Sequence, residues 1–346
     1  MTEPLRVVCI GGGTGLSSLL SGLKKYVHAP HGPGLDITAI VAVSDDGGSS
    51  GRLRREFDVL PPGDIRNCMV ALSEDGALLS ELFQYRFESG HGLKGHSFGN
   101  LFLTAMSTVT GDFPEAVRKS CEVLKIAGRI FPATAANVRI EAVLDGGRVV
   151  SGETRISRSK RRIRAIRMTP SGARPLRETL QAIERADLIT LGPGSLFTSV
   201  IPNLLVKGIP QAIRKSPALK AYFVNLMSQP GETIDFRASD HLEAIHAHAG
   251  GPLVDFAVVS TTRISPALRR RYAEQNASPV ENDMPRLSEM GIDVLEGDLL
   301  QRGVKVRHNP AATAAVAMEL ARRGRRRRLQ ISHGRINPDT AKLRTA

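Results

Sequence analysis

An apolar run, Val7-Val8-Cys9-Ile10, passes straight into Gly11-Gly12-Gly13-Thr14-Gly15 and then into Leu16-Ser17-Ser18-Leu19-Leu20. That order calls for a buried strand, a tight turn and a helix. Leu16, Leu19, Leu20, Leu23 and Val27 recur on one helical face, with Gly22 the only weak position. Glycines without side chains let the backbone approach an anion, while the first unpaired amides of the helix point at it. The loop misses the dinucleotide pattern G-x-G-x-x-G by one residue, with Leu16 in the third place and the last glycine early at Gly15. A Walker loop fails outright, since no lysine follows before Lys24. A tight strand-to-helix turn without a ligand is the plain alternative.

The net charge of +13 on 346 residues raises the question of nucleic acid, so its distribution matters more than its total. Residues 321–346 carry a net +8 and residues 154–167 a net +7, which leaves the rest of the chain near neutral. The run Arg322-Arg323-Gly324-Arg325-Arg326-Arg327-Arg328 has no interleaved aromatics, and the expectation for 321–346 is a disordered, solvated tail. Aromatic content of 4% with no Trp gives no base-stacking platform, so no specific nucleic-acid partner is expected. The basic residues from Arg155 to Arg167 read as protection of an exposed strand edge. No apolar run approaches the roughly 18 residues of a membrane span, and Met1 to Arg6 lack a signal-peptide layout, so a cytoplasmic protein is expected. Cys9, Cys68 and Cys121 stand far apart, which indicates neither a disulfide framework nor a cysteine zinc site.

Apolar strands alternate with amphipathic helices at both ends of the chain, a pattern for an α/β fold with a mainly parallel sheet covered on both faces. The strands are predicted at Arg6–Ile10, Ile37–Val43, Leu188–Leu191, Ala221–Leu226, Phe256–Ser260 and Asp293–Leu295. Between the halves the period changes to that of a β-rich insertion. Val138–Leu144 and Val149–Ile156 flank Asp145-Gly146-Gly147, a hairpin signal, and a third strand runs from Arg164 to Met168. The resulting division is an N-terminal half at 1–130, an insertion at 131–175, a C-terminal half at 176–320 completing the same sheet, and the tail.

Three further loops carry chemistry-bearing residues. Ser44-Asp45-Asp46-Gly47-Gly48-Ser49-Ser50-Gly51-Arg52 follows the second strand, where acids can accept ribose hydroxyls or hold magnesium and serines can reach phosphate. A solvated Asp-Gly turn is its plain reading. In Leu60-Pro61-Pro62-Gly63-Asp64-Ile65-Arg66-Asn67, Asp64 reads as a helix N-cap, with Arg66 and Asn67 available to a ligand. His96 and Asn100 lie in a glycine-rich stretch before a helix. The second half repeats the opening device: strand Leu188–Leu191, loop Gly192-Pro193-Gly194-Ser195, helix from Leu196 to Lys207. Ser195 reads either as a ligand hydroxyl or as a cap, and two such units put two anion sites on one sheet edge. His241, His246 and His248 lack metal-pair spacing and read as surface residues.

With Gly11–Gly15, Asp45–Gly51, Pro61–Asn67, Phe98–Leu101 and Leu191–Asn203 on the page, the chain resembles the gluconeogenesis factor family. That family is a branch of the 2-phospho-L-lactate transferase-like superfamily, and the resemblance runs from about residue 5 to about residue 320. It implies a Rossmann-like doubly wound core, binding of UDP-sugars such as UDP-N-acetylglucosamine, and a role in cell shape and wall synthesis during growth on gluconeogenic carbon. A regulator of this kind is expected to act through a protein partner in wall synthesis or regulation, with self-association into a homo-oligomer left open. The transferase relatives use a GDP-linked donor and magnesium and carry a P-D-x-D-T-like stretch, where this chain has Leu60-Pro61-Pro62-Gly63-Asp64-Ile65.

Carried over residue by residue, the family site implies Gly12, Gly13, Thr14 and Gly15 at the phosphates, with Asp45, Asp46, Ser49, Ser50, Asn67, Asn100, Gly194 and Ser195 around the same crevice. Asp45 and Asp46 are the metal ligands if magnesium is used. Tyr272 can stack on a base and Arg307 can pair with a phosphate, against the plain readings of a core-edge aromatic and a surface charge. No catalytic residue is assigned. A nucleotide-sugar-binding regulator is the leading reading, and a transferase using a nucleotide-diphosphate donor with magnesium is the alternative. An NAD dehydrogenase is disfavoured by Leu16.

Overall fold

The computed structural model describes residues 3–28, 32–74, 77–159 and 161–334. In chain order its strands are β1 (Leu5–Gly11), β2 (Leu35–Val41), β3 (Arg129–Pro132), β4 (Arg139–Leu144), β5 (Val149–Ser151), β6 (Ile163–Thr169), β7 (Leu188–Leu191), β8 (Leu219–Phe223), β9 (Phe256–Ser260) and β10 (Asp293–Gly297). Seven of them form one sheet in the order β3-β2-β1-β7-β8-β9-β10, and every pairing is parallel. The chain starts in the middle of this sheet, builds outwards to β3, and returns to β1 to build the other way. The order therefore reverses between β1 and β7, and an α/β sheet opens its ligand crevice at such a reversal.

Continuous burial on both faces explains why β1, β7 and β8 are mostly apolar in consecutive positions rather than alternating, with Arg6, Thr190 and Lys220 as the polar exceptions. Helix α1 (Gly13–Leu23) packs Leu16, Leu19, Leu20 and Leu23 into this core. Gly22, its weak position, is required by a neighbour. A Cβ there would stand 2.0 Å from the Pro310 carbonyl oxygen, at the start of the C-terminal helix Pro310–Ser332.

That C-terminal helix overturns the expectation of a disordered tail for residue 321 onwards. The helix runs to Ser332, and its arginines are structural: Arg325 grips the fully buried Asp187 at 2.8 and 2.7 Å, Arg328 reaches it at 3.2 Å, and Arg327 reaches Asp255 at 3.6 Å. Asp187 and Asp255 immediately precede β7 and β9, so the basic run pins the amino ends of the strands. Gly324 allows the approach, since a Cβ there would meet the Asp187 carbonyl oxygen at 1.9 Å. Residues 335–346 of the expected tail lie outside the described residues.

Other expectations are corrected in detail. The short strand β3 is unforeseen, because Arg129-Ile130-Phe131-Pro132 is too brief to show a period. The Ser44–Arg52 loop ends at Gly47, and α2 (Gly48–Phe57) follows; α3 (Gly63–Leu72) holds the next glycine-led segment. The insertion is a three-stranded antiparallel sheet in the order β5-β4-β6, and its hairpin glycines Gly146 and Gly147 take φ of 82° and 79°. Its second strand stops at Ser151, short of Ile156, because Gly152 at φ 93° turns the chain into the short helix Glu153–Ser157. The segment Leu196–Lys207 is not one regular helix. Pro202 has no amide to donate, and the wide turn Leu196–Val200 gives way to Ile201–Leu204. His241 is fully buried rather than on the surface, stacked 6.1 Å from Tyr222, and His248 Nε2 accepts the Ile166 amide of β6 at 2.9 Å.

Candidate functional site

The reversal in strand order sets the two glycine loops side by side at the carboxyl ends of β1 and β7. They touch through backbone: a Cβ at Gly15 would lie 2.5 Å from the Pro193 carbonyl oxygen and 2.9 Å from the Gly194 amide nitrogen. The β1 end is fixed from below by Asn203, whose buried amide donates to the Gly11 carbonyl at 3.2 Å and the Ser199 carbonyl at 2.7 Å. The N-cap of α1 is Gly12, in an extended conformation and with no side chain of its own to cap the helix.

A cleft of about 580 Å³ opens over these loops, well within the size of small-molecule sites. Of the sequence-expected residues, Gly12, Gly13, Thr14, Gly15, Gly194, Ser195, Tyr272 and Arg307 all line it. Tyr272 and Arg307 come from distant segments yet are tied together, because the Val306 amide donates to Tyr272 Oη at 3.0 Å. The Arg307 guanidinium has no partner among the described residues, so it is available to a ligand. Next to it, His308 is buried, and its pKa is pushed down to about 4 by desolvation, against a hydrogen bond with the Val224 carbonyl. It is therefore a neutral structural group at physiological pH.

Ser195 does not cap the turn that follows it. Its hydroxyl instead accepts from Gln229 Nε2 at 2.6 Å, at the floor of the cleft. Gln229, Asn225, Gln275 and Gln301 complete a lining of neutral amides and hydroxyls, and no carboxylate is among the lining residues. Sequence reasoning missed these four amides, which sit in segments without a glycine or charge signature.

The remaining expected residues gather on the β2 side of the Gly11–Gly15 loop, outside the cleft. Asp45 accepts from the Gly47 amide at 2.8 Å and from the buried Ser50, which in turn receives Asn100 Nδ2 at 3.3 Å. Ser49, also buried, meets His96 Nδ1 at 3.0 Å, and burial lowers the pKa of His96. Asn67 accepts from Arg66 at 2.6 Å. Asp46 Oδ1 accepts from both the amide and the hydroxyl of Thr154, at 2.9 and 2.8 Å, which ties the insertion to this loop.

Asp64 corrects a sequence expectation. It does not cap its own helix, whose N-cap is Pro62; its carboxyl accepts the Gly13 amide and so lies under the amino end of α1. A Cβ at Gly12 would stand 2.4 Å from Asp64 Oδ2, so the glycine loop is wedged directly over this acid. Desolvation first, then the charge of Asp45, raises the Asp64 pKa to about 6. Glu232, on the far side, is buried and raised to about 6 by desolvation while accepting from Ser157 at 3.2 Å and Thr198 at 3.3 Å. Glu153 is raised well above the ordinary range by desolvation and by Asp45 and Asp64. Neither glutamate was singled out from sequence, because each reaches this place only through the insertion or the loop after β8. Among the described residues no three His, Cys, Asp or Glu side chains form a metal cage.

The family model described as 2-phospho-L-lactate transferase CofD matches residues 7–300. The gluconeogenesis factor of Halalkalibacterium halodurans is 46% identical over 314 residues, covering 90% of this chain and 95% of that protein. The gluconeogenesis factor of Bacillus subtilis is 44% identical over 321 residues, covering 92% and 99%. The crystal structure of a member of the upf0052 family from Bacillus halodurans superposes with a TM-score of 0.87 at 44% identity, covering 92% of this chain and all of that one. With the strand reversal, the paired glycine loops and these matches together, the chain belongs to the CofD family and to the gluconeogenesis factors within it.

Proposed function

We propose that the cleft between β1 and β7 binds a nucleotide-diphosphate sugar of the UDP-N-acetylglucosamine type, and that the chain acts as a regulator in gluconeogenic growth. In this reading it serves cell shape and wall synthesis through a protein partner. One observation carries the choice of ligand: the cleft over the paired glycine loops is lined by neutral amides and hydroxyls, with Arg307 the only charged side chain among the described lining residues, since His308 is buried and neutral. A diphosphate takes backbone amides and one cation, while sugar hydroxyls take neutral donors and acceptors. A dinucleotide would want an acid after β2 for its ribose, and the acids there, Asp45 and Asp46, do not line the cleft. The relatives' names, gluconeogenesis factor, support the physiological setting. Titration calorimetry with UDP-N-acetylglucosamine and with NAD tests the reading. Binding of the UDP-sugar is expected, and binding of NAD alone refutes it.

A transferase is the second reading, favoured by the raised carboxyls of Asp45, Asp64 and Glu153 beside the cleft. Magnesium is commonly held by one or two carboxylates together with substrate phosphates, and in this reading Asp45 and Asp46 would supply them, with Asp64 beside Asp45. Bound there, the ion would offset the negative charge of these acids and of a diphosphate reaching them from the cleft. Turnover of labelled nucleotide-linked donors with magnesium would support an enzyme; intact donor supports the regulator.

A further inference from the structure

The insertion carries a second concavity that the cleft does not use. A hollow of about 430 Å³ is floored by Leu144 and Val150 and walled by Arg148, Arg155, Arg158 and Arg161. No carboxylate lines it. Other arginines of the insertion are matched with acids: Arg164 with Asp145, and Arg162 with Asp240 at 3.7 Å. Among the described residues the guanidiniums of Arg148, Arg155 and Arg158 have no partner, and Arg161 reaches only the Asp145 carbonyl, at 3.4 Å. Protection of a strand edge accounts for Arg164 and Arg167 on β6, but Arg155 lies on the short helix Glu153–Ser157 and Arg158 just after it.

Four exposed like charges around one hollow focus a positive potential in it, which attracts an anion. Guanidiniums pair with phosphate oxygens in a bidentate fork, and the hollow offers no aromatic face for a base. We propose that this hollow is a binding site for a small, multiply phosphorylated anion. The same short helix holds Asp46 through Thr154 and Glu232 through Ser157, so the hollow is tied to the acids that lie outside the cleft.

Calorimetry with inorganic tripolyphosphate tests the site. The wild-type protein is expected to show a site whose affinity falls roughly tenfold or more in Arg155→Gln/Arg158→Gln, and likewise in Arg148→Gln/Arg161→Gln. Arg322→Gln/Arg326→Gln, at exposed positions of the C-terminal helix, is expected to leave it unchanged. Tripolyphosphate binding that all three variants weaken equally, or that none weakens, overturns the proposal. So does co-sedimentation with phosphatidylglycerol vesicles in the absence of tripolyphosphate binding, which would assign the patch to a lipid surface.

Discussion

Substituting Gly15 by alanine tests whether the two glycine loops are packed backbone to backbone. The new Cβ would stand 2.5 Å from the Pro193 carbonyl oxygen, 2.7 Å from its carbon and 2.9 Å from the Gly194 nitrogen. All three are main-chain atoms, so no rotamer change relieves the clash. Ordinary carbon contacts lie at about 3.5 Å or more, so the loops must part by roughly 1 Å. Overpacking of this kind costs about 1–3 kcal/mol, and the better helix propensity of alanine in α1 returns up to about 1 kcal/mol. A net destabilisation of up to about 3 kcal/mol is expected in urea unfolding. Because the shift separates Gly194 and Ser195 from the amides of α1, affinity for the UDP-sugar is expected to drop by roughly tenfold or more, about 1.4 kcal/mol. Gly172→Ala is the control, since a Cβ there meets nothing within 4 Å. Equal stability and equal affinity in the two variants would refute the packing argument.

The C-terminal clasp, the acids and the Arg307 segment give three more tests. Arg325→Leu removes a two-point contact to the buried Asp187 and is expected to lower urea-unfolding stability by about 3 kcal/mol, whereas a solvated tail would give no change. Glu232 holds its proton up to about pH 6, against an ordinary value of 4.5. Its stabilising effect is therefore full below pH 4.5 and is lost as the pH rises through 6. Glu232→Gln is expected to exceed the wild type by up to about 2 kcal/mol at neutral pH, with the gap closing on acidification; a gap that widens as the pH falls contradicts the burial argument. Tyr272→Phe deletes the acceptor of the Val306 amide and should weaken UDP-sugar binding by roughly fivefold, about 1 kcal/mol, with little change in Tm; an unaltered Kd would show that the tether does not position Arg307.

What was legible in the chain follows from the range over which each signal acts. Strands β7 and β9 have the boundaries that their apolar runs suggest, because burial on both faces writes itself into consecutive residues. The Gly11–Gly15 and Gly192–Ser195 loops were visible for the same local reason, since a turn of this kind leaves glycines in place. Asp64 was read for its nearest role, a cap of its own helix, whereas its carboxyl serves α1, about fifty residues earlier. Glu153 and Glu232 carry no local mark at all; their raised pKa values arise from burial that only the insertion creates. The arginine run misled in the opposite direction. Its composition suits a solvated end, yet Asp187 and Asp255 supply counter-charges from the strand starts. Gly324, an apparent interruption, is where the helix meets the sheet.

A co-crystal structure with UDP-N-acetylglucosamine addresses the central claim most directly. The expected result is a diphosphate on the Gly13–Gly15 amides with Arg307 on its oxygens, and the sugar against Ser195 and Gln229. A ligand seated instead at Asp45 and Asp46 on the β2 side, or no ligand in the cleft at saturating concentration, would contradict it.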